Sequence, residues 1–289
     1  MDTKLALQRN RITLIGAGFL CLSALSAGAQ AMKHPCASFV PMPPDVAAFR
    51  AKADAATQKG EPAPLPTAEE KQSDELYQLQ GRFNDFGGNC DYADDNAKLS
   101  ASAKDRVVFF GDSITWLWQE TDPGFFLNNG RVDRGISGQT TAQMLVRFRQ
   151  DVIDLHPDAV HILAGINDIA GNTGPTSLAR IEGNFRSMVE QAKAHHIRVL
   201  IASVLPADVI PWRPSVGDTA ATVIALNQWL KAYAAQEHVT YVDYYDVLKD
   251  ATGGTKPQYT KDGVHPSPAG FQAMEPLTRR ALAAMGLPR

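Results

Sequence analysis

From residue 106 to the carboxyl terminus, short apolar runs alternate with longer amphipathic ones, and this alternation narrows the fold more than any other feature. The runs at 106–110, 159–164, 198–204 and 239–242 are short, bounded by charge or turn residues, and rich in valine, isoleucine, leucine or phenylalanine, and 132–134 is a shorter strand candidate between them. Such runs predict strands buried on both faces. Between and after them, the spacing predicts helices over 141–151, 176–195, 219–236 and 268–285. In 141–155, Met144, Leu145, Phe148, Val152 and Ile153 recur every three or four residues, one stripe to lay against a sheet. Strand–helix alternation of this kind implies a parallel sheet covered by helices on both sides. With 289 residues and 44% hydrophobic content, the chain can bury one full α/β core carrying an appendage.

The amino-terminal third reads differently. Lys4, Arg9 and Arg11 precede an apolar run from Ile12 to Ala27, followed by the small-residue pattern Ala29-Gln30-Ala31. That is the layout of a secretory signal peptide over 1–31, and the run is shorter than the roughly 20 residues of a spanning helix. An uncleaved membrane anchor is the alternative. Cleavage leaves Cys36 and Cys90, which an oxidising compartment would join in a disulfide; two free thiols is the other reading. The exported product is expected in the periplasm or outside the cell, with no stable membrane anchor. Residues 32–104 form an arm punctuated by prolines. It has helical candidates at 45–57 and 67–80, a capping box at Thr67-Ala68-Glu69-Glu70, and a loop over 83–96. The main domain spans 105–289. A formal charge of −3 and the absence of a basic stripe speak against a nucleic-acid partner.

Four short stretches then fall at strand ends or in the last loop. Gly111-Asp112-Ser113 ends the first strand. Arg134 to Thr140, with Gly138 in its middle, follows the second. Ala164-Gly165-Ile166-Asn167-Asp168 follows the third, and Asp262-Gly263-Val264-His265-Pro266 precedes the final helix. A serine hydroxyl is a weak nucleophile and needs an adjacent base. His265 is suited to take its proton, and Asp262, three residues earlier, to orient the imidazole and stabilise its charged form. Taken singly, each stretch is also an ordinary turn. Asp168 reads as structural, as do His156, His161, His195, His196 and His238.

In order and together, the four stretches resemble the SGNH hydrolases, also called the GDSL esterase/lipase family, over about residues 105–285, in the manner of their secreted bacterial branch. The segment Asp91 to Leu99 only loosely matches a stretch that precedes the core in that branch. The resemblance implies a flavodoxin-like three-layer α/β/α fold with a five-stranded parallel sheet in the order 2-1-3-4-5. It also implies a serine esterase working through an acyl-enzyme. Ser113, Asp262 and His265 would be catalytic, and an oxyanion hole would come from the backbone of Ser113 and Gly138 and the amide of Asn167. No cofactor or metal is expected, since the seven histidines are scattered.

The substrate reading is finer. No long apolar lid appears, and Trp212, in the loop after the fourth strand, offers a flat face to a sugar ring, with Arg213 as a donor. Together they point to short-acyl, acetyl-type esters of carbohydrate or a similar polar alcohol, a small-molecule or carbohydrate ester. Trp212 packing the loop onto the domain is the bland alternative. A lysophospholipase or thioesterase taking longer acyl chains is the rival activity, and a non-catalytic carbohydrate-binding protein is the rival of another class. Of Trp116 and Trp118, one is expected in the core and one at a pocket wall.

Overall fold

In the computed structural model, the described residues are Cys36, 42–58, 64–99, 104–127 and 130–288. The chain divides into two units, Met1–Phe39 and Val40–Arg289. Of the first, only Cys36 is described, so the signal-peptide expectation lies outside the described residues. Cys36 and Cys90 are each disulfide-bonded.

Five parallel strands build the second unit: β1 (Val107–Gly111), β2 (Arg131–Gly135), β3 (Ala159–Leu163), β4 (Arg198–Ala202) and β5 (Thr240–Val242). Their order in the sheet is β2-β1-β3-β4-β5. The central β1 and β3 are buried at every position, the burial expected of strands covered on both faces. The helices are α1 (Pro44–Gln58), α2 (Ala68–Asn84), α3 (Ala93–Lys98), α4 (Ser113–Thr121), α5 (Thr141–Asp151), α6 (Leu178–Ala194), α7 (Thr219–Gln236) and α8 (Pro268–Ala284), with single turns between them. Successive residues of a strand point to opposite faces, and β1 uses both. Phe109 meets Trp118 of α4 edge-on at 5.8 Å, and Trp118 stacks on Phe271 of α8 at 5.6 Å. Phe110 meets Phe148 of α5 on the other side at 5.3 Å. The architecture is a flavodoxin-like three-layer α/β/α sandwich.

Most predicted elements form within a residue or two of their expected ends, and the departures have local causes. The fourth strand stops at Ala202 rather than Val204. At Val204 the side chain of Asn227 takes the place of a neighbouring strand, accepting from Val204 N at 2.8 Å and donating to Val204 O at 2.9 Å. The capping box forms: Glu70 N donates to Thr67 Oγ1 and Thr67 N to Glu70 Oε2, and the helix runs on to Asn84. The loop expected over 83–96 is interrupted by α3, whose Asp94 and Asp95 at the start and Lys98 at the end suit the helix dipole.

The segment 85–99 is also woven into the main sheet. Tyr92 Oη donates to Asp133 Oδ2 and to Gly135 O. Asn96 Nδ2 donates to Asp151 and Asn96 Oδ1 accepts from Arg134 Nε. Of the two tryptophans after Ser113, Trp118 is fully buried and Trp116 is 40% exposed.

Candidate active site

The carboxyl ends of β1, β2 and β3 lie side by side, and β1–β3 is where the strand order reverses. Open α/β sheets offer their ligand crevice at such a point. β1 delivers Gly111 and then Asp112, which caps α4 by accepting from Ile114 N at 2.9 Å. A side chain at Gly111 would meet Thr115 Oγ1 at 2.0 Å and Leu163 O at 2.7 Å, so only glycine lets the strand turn into the helix here. Ser113 is therefore the first residue of α4, 7% exposed.

The loop after β2 carries Gly138 with φ +75°. A Cβ there would have room, since the nearest atom is 3.8 Å away. Backbone conformation rather than crowding requires glycine at this position. Asn167 lies in the single turn Ile166–Ile169 after β3 and is 1% exposed. Its Nδ2 donates to Gln139 O at 3.0 Å and to Asp112 Oδ2 at 3.2 Å, while its Oδ1 accepts from Asn172 Nδ2 at 2.8 Å. Asp168 points away into structure, accepting from Thr141 N at 2.8 Å and from Thr141 Oγ1 at 2.6 Å.

His265 comes from the last loop. Its Nε2 is 2.9 Å from Ser113 Oγ, and its Nδ1 is 2.7 Å from Asp262 Oδ2. Asp262 Oδ1 meanwhile accepts from the backbone of Val264 and His265. Partial burial acts to raise the Asp262 carboxyl, but the His265 ring and these backbone donors outweigh it and hold it at about 2. Asp112 is pushed up to about 6, chiefly by complete burial, and burial likewise takes Asp168 to about 6.

Trp212, 39% exposed, stands with its ring 5.7 Å from that of His265, and its Nε1 donates to Asn172 Oδ1 at 3.1 Å. Arg213 is exposed. The other histidines are elsewhere. His161 is buried against Tyr244 Oη at 2.9 Å, with burial pushing its ring down to about 3. His156, His196 and His238 take left-handed backbone conformations. Among the described residues, no group of three or more potential ligands could hold a metal ion, and no helix is long and apolar enough to cross a membrane.

Two residues absent from the sequence reading support this site. Arg147, fully buried in α5, donates to Gln139 Oε1, Arg134 O, Asp151 Oδ2 and Gly111 O at 2.6–3.0 Å. It thereby ties the end of β1 to the end of β2. Residues 144, 147, 148 and 151 share one helix face, so a complementary Arg–Asp pair on the apolar stripe was the available signal. Asn172 is the other.

Residues 109–273 match the model of the GDSL-like lipase/acylhydrolase family. A crystal structure of a GDSL-like lipase from Bacteroides thetaiotaomicron superposes with a TM-score of 0.68 at 44% identity, covering 69% of this chain and 99% of that one. An acetylxylan esterase from Geobacillus stearothermophilus superposes at 0.52 with 22% identity over 64% and 96% of the two chains, a likeness of fold. An uncharacterised lipoprotein of Bacillus subtilis, YqeF, is 32% identical over 117 residues, 35% of this chain and 48% of that one. The chain thus spans about half the length of that curated relative. With more than half its length matched by the family model and its sheet superposing on a relative at 44% identity, the chain belongs to the GDSL-like lipase/acylhydrolase family of carboxylic ester hydrolases.

Proposed function

We propose that the protein hydrolyses short-acyl carboxylic esters through an acyl-enzyme on Ser113, most specifically acetyl esters of carbohydrate or a comparable polar alcohol. The relay from Ser113 Oγ through His265 to Asp262, at 2.9 and 2.7 Å, is the observation that carries the chemistry. Ser113 Oγ attacks the carbonyl carbon while its proton passes to His265 Nε2. The tetrahedral oxyanion faces the N–H groups of Ser113 and Gly138 and the amide of Asn167, which must turn toward it the proton it shares with Asp112. Collapse breaks the bond to the alcohol, which leaves with the proton from Nε2. Water then attacks the acyl group, gives its proton to His265, and the acid departs as Ser113 Oγ recovers that proton. Asp262, ionised above about pH 2, stabilises the imidazolium in both halves.

Trp212 supports the substrate reading, because its half-exposed indole flanks His265 and can lie against a sugar ring. The fold shared with an acetylxylan esterase supports it too. Export, from the amino-terminal pattern, agrees with the disulfide-bonded Cys36 and Cys90 and with a relative named as a lipoprotein.

The deciding experiment is kcat/KM on p-nitrophenyl esters from two to twelve carbons. A steep fall beyond four carbons is expected, and a maximum at eight or beyond replaces this reading with a long-acyl one. Trp212→Ala should weaken activity on acetylated xylan more than on p-nitrophenyl acetate; equal losses would remove the sugar from the proposal.

A further inference from the structure

We propose that Asn172 is a positioning residue, holding the Asn167 amide and the Gly138 peptide in oxyanion-binding geometry and linking both to Trp212. A carboxamide presents a donor at one end and an acceptor at the other, and the two ends have nearly the same shape. For Asn167 to give N–H to an oxyanion, its Oδ1 must face a donor elsewhere. Asn172 Nδ2 supplies that donor at 2.8 Å. The same nitrogen donates to Gly138 O at 3.0 Å, so both protons of one amide hold two of the three groups assigned to the hole. Its Oδ1 then accepts from Trp212 Nε1 at 3.1 Å, and Trp212 stands beside His265.

Asn172 is itself fixed by its backbone, whose N–H donates to Asn167 O at 3.0 Å. Every polar group of the side chain is therefore used, with one orientation satisfying all three of its contacts. Reversing the Asn172 amide would set oxygen against Gly138 O and Asn167 Oδ1. Without Asn172, the buried Asn167 Oδ1 loses its donor, and the amide is held from its nitrogen end alone, by Gln139 O and Asp112 Oδ2.

The inference rests on the assignment of Asn167 to the oxyanion hole, so the test separates the two. On p-nitrophenyl acetate, Asn167→Ala should lose about 10²–10³ in kcat, the loss typical for one oxyanion donor. Asn172→Ala should lose at least about tenfold in kcat, with KM within about twofold. Asn172→Asp keeps the acceptor for Trp212 but turns both donors into acceptors. It should lose at least as much as the alanine variant, and being isosteric it carries the test if Asn172→Ala does not fold. The double variant Asn167→Ala/Asn172→Ala should lose clearly less than the product of the two single losses, because only the part of the Asn172 effect that acts through Gly138 survives removal of the Asn167 amide. A merely structural role would make the losses multiply.

Full turnover in Asn167→Ala overturns the oxyanion assignment and this inference with it. A normal Asn167→Ala loss beside near-native turnover in Asn172→Asp, or multiplying losses in the double variant, overturns the role of Asn172 alone.

Discussion

The two halves of the site are built on opposite plans. Ser113, Gly138 and Asn167 sit at three adjacent strand ends, where side chains from distant stretches converge; Arg147 alone reaches Gly111, Arg134 and Gln139. The histidine half is a turn that holds itself. Within residues 260–266, Asp262 accepts from Val264 N and His265 N, Thr260 Oγ1 accepts from Gly263 N, and Lys261 N donates to His265 O. Exposure follows the same division: Asn167 is 1% exposed, while the side chains of His265 and Asp262 are 20% and 40% exposed. In the proposed mechanism the strand-end half receives the developing charge, and its Asn167 is fully buried, in keeping with electrostatic preorganisation. In the same mechanism the more exposed turn moves the proton.

The sharpest break in this comparison would come from the nucleophile and base. Ser113→Ala and His265→Ala should each lower kcat by roughly 10⁶, as in serine hydrolases whose triad acts as a unit, with unfolding midpoints near the wild type. A folded Ser113→Ala protein that still hydrolyses p-nitrophenyl acetate ends the mechanism.

Asp262 comes next and separates its two duties. Asp262→Ala should cost less than His265→Ala, at most roughly 10⁴ in kcat, the loss known when a triad carboxylate is neutralised. Asp262→Asn retains an oxygen for the backbone of Val264 and His265 while removing the charge beside Nδ1. It should therefore lose activity with the turn intact, whereas alanine should lose both activity and thermal stability. Equal melting temperatures for the two variants would show that the turn holds without Asp262.

The same contrast decides what could be read from the chain. The histidine turn was legible because its partners lie within six residues, and spacing displays such contacts directly. The strands other than β2, whose sequence is Arg131-Val132-Asp133-Arg134-Gly135, were legible as apolar runs, and the ends of 141–151 and 219–236 coincide with α5 and α7. What braces the other half was not legible. Asn172 reaches Gly138 across 34 residues, and Tyr92 reaches Gly135 across 43. No local pattern announces a partner so far away. The glycine, asparagine and aspartate content of 83–96 predicts a loop, and it equally suits a segment that spends its polar groups on neighbouring strands.

The smallest expected effect concerns pH, where the halves have opposite signs. Burial raises Asp112, Asp133 and Asp168 in the dry half to about 6, while hydrogen bonds lower Asp262 in the turn to about 2. A carboxyl raised by folding binds its proton more tightly in the native state than in the unfolded chain. Its contribution is therefore complete below the ordinary value of 3.8 and is lost as pH rises through about 6. Asp262 does the reverse, stabilising above 3.8 and ceasing to do so as pH falls through about 2. Asp133 is the clean probe, since it lies outside the reacting groups. An asparagine there can still accept from Gly135 N, and Tyr92 keeps Gly135 O as an acceptor. A shift of about two units is worth roughly 3 kcal/mol at full effect. Urea unfolding of Asp133→Asn and of the wild type, at pH 4.5 and pH 7, should show the variant gaining roughly 2 kcal/mol of that relative to the wild type at the higher pH, since pH 4.5 already lies above 3.8. Parallel pH dependences would mean that Asp133 ionises in the folded protein as freely as it does in the unfolded chain, and that the strand-end half is wetter than its burial indicates.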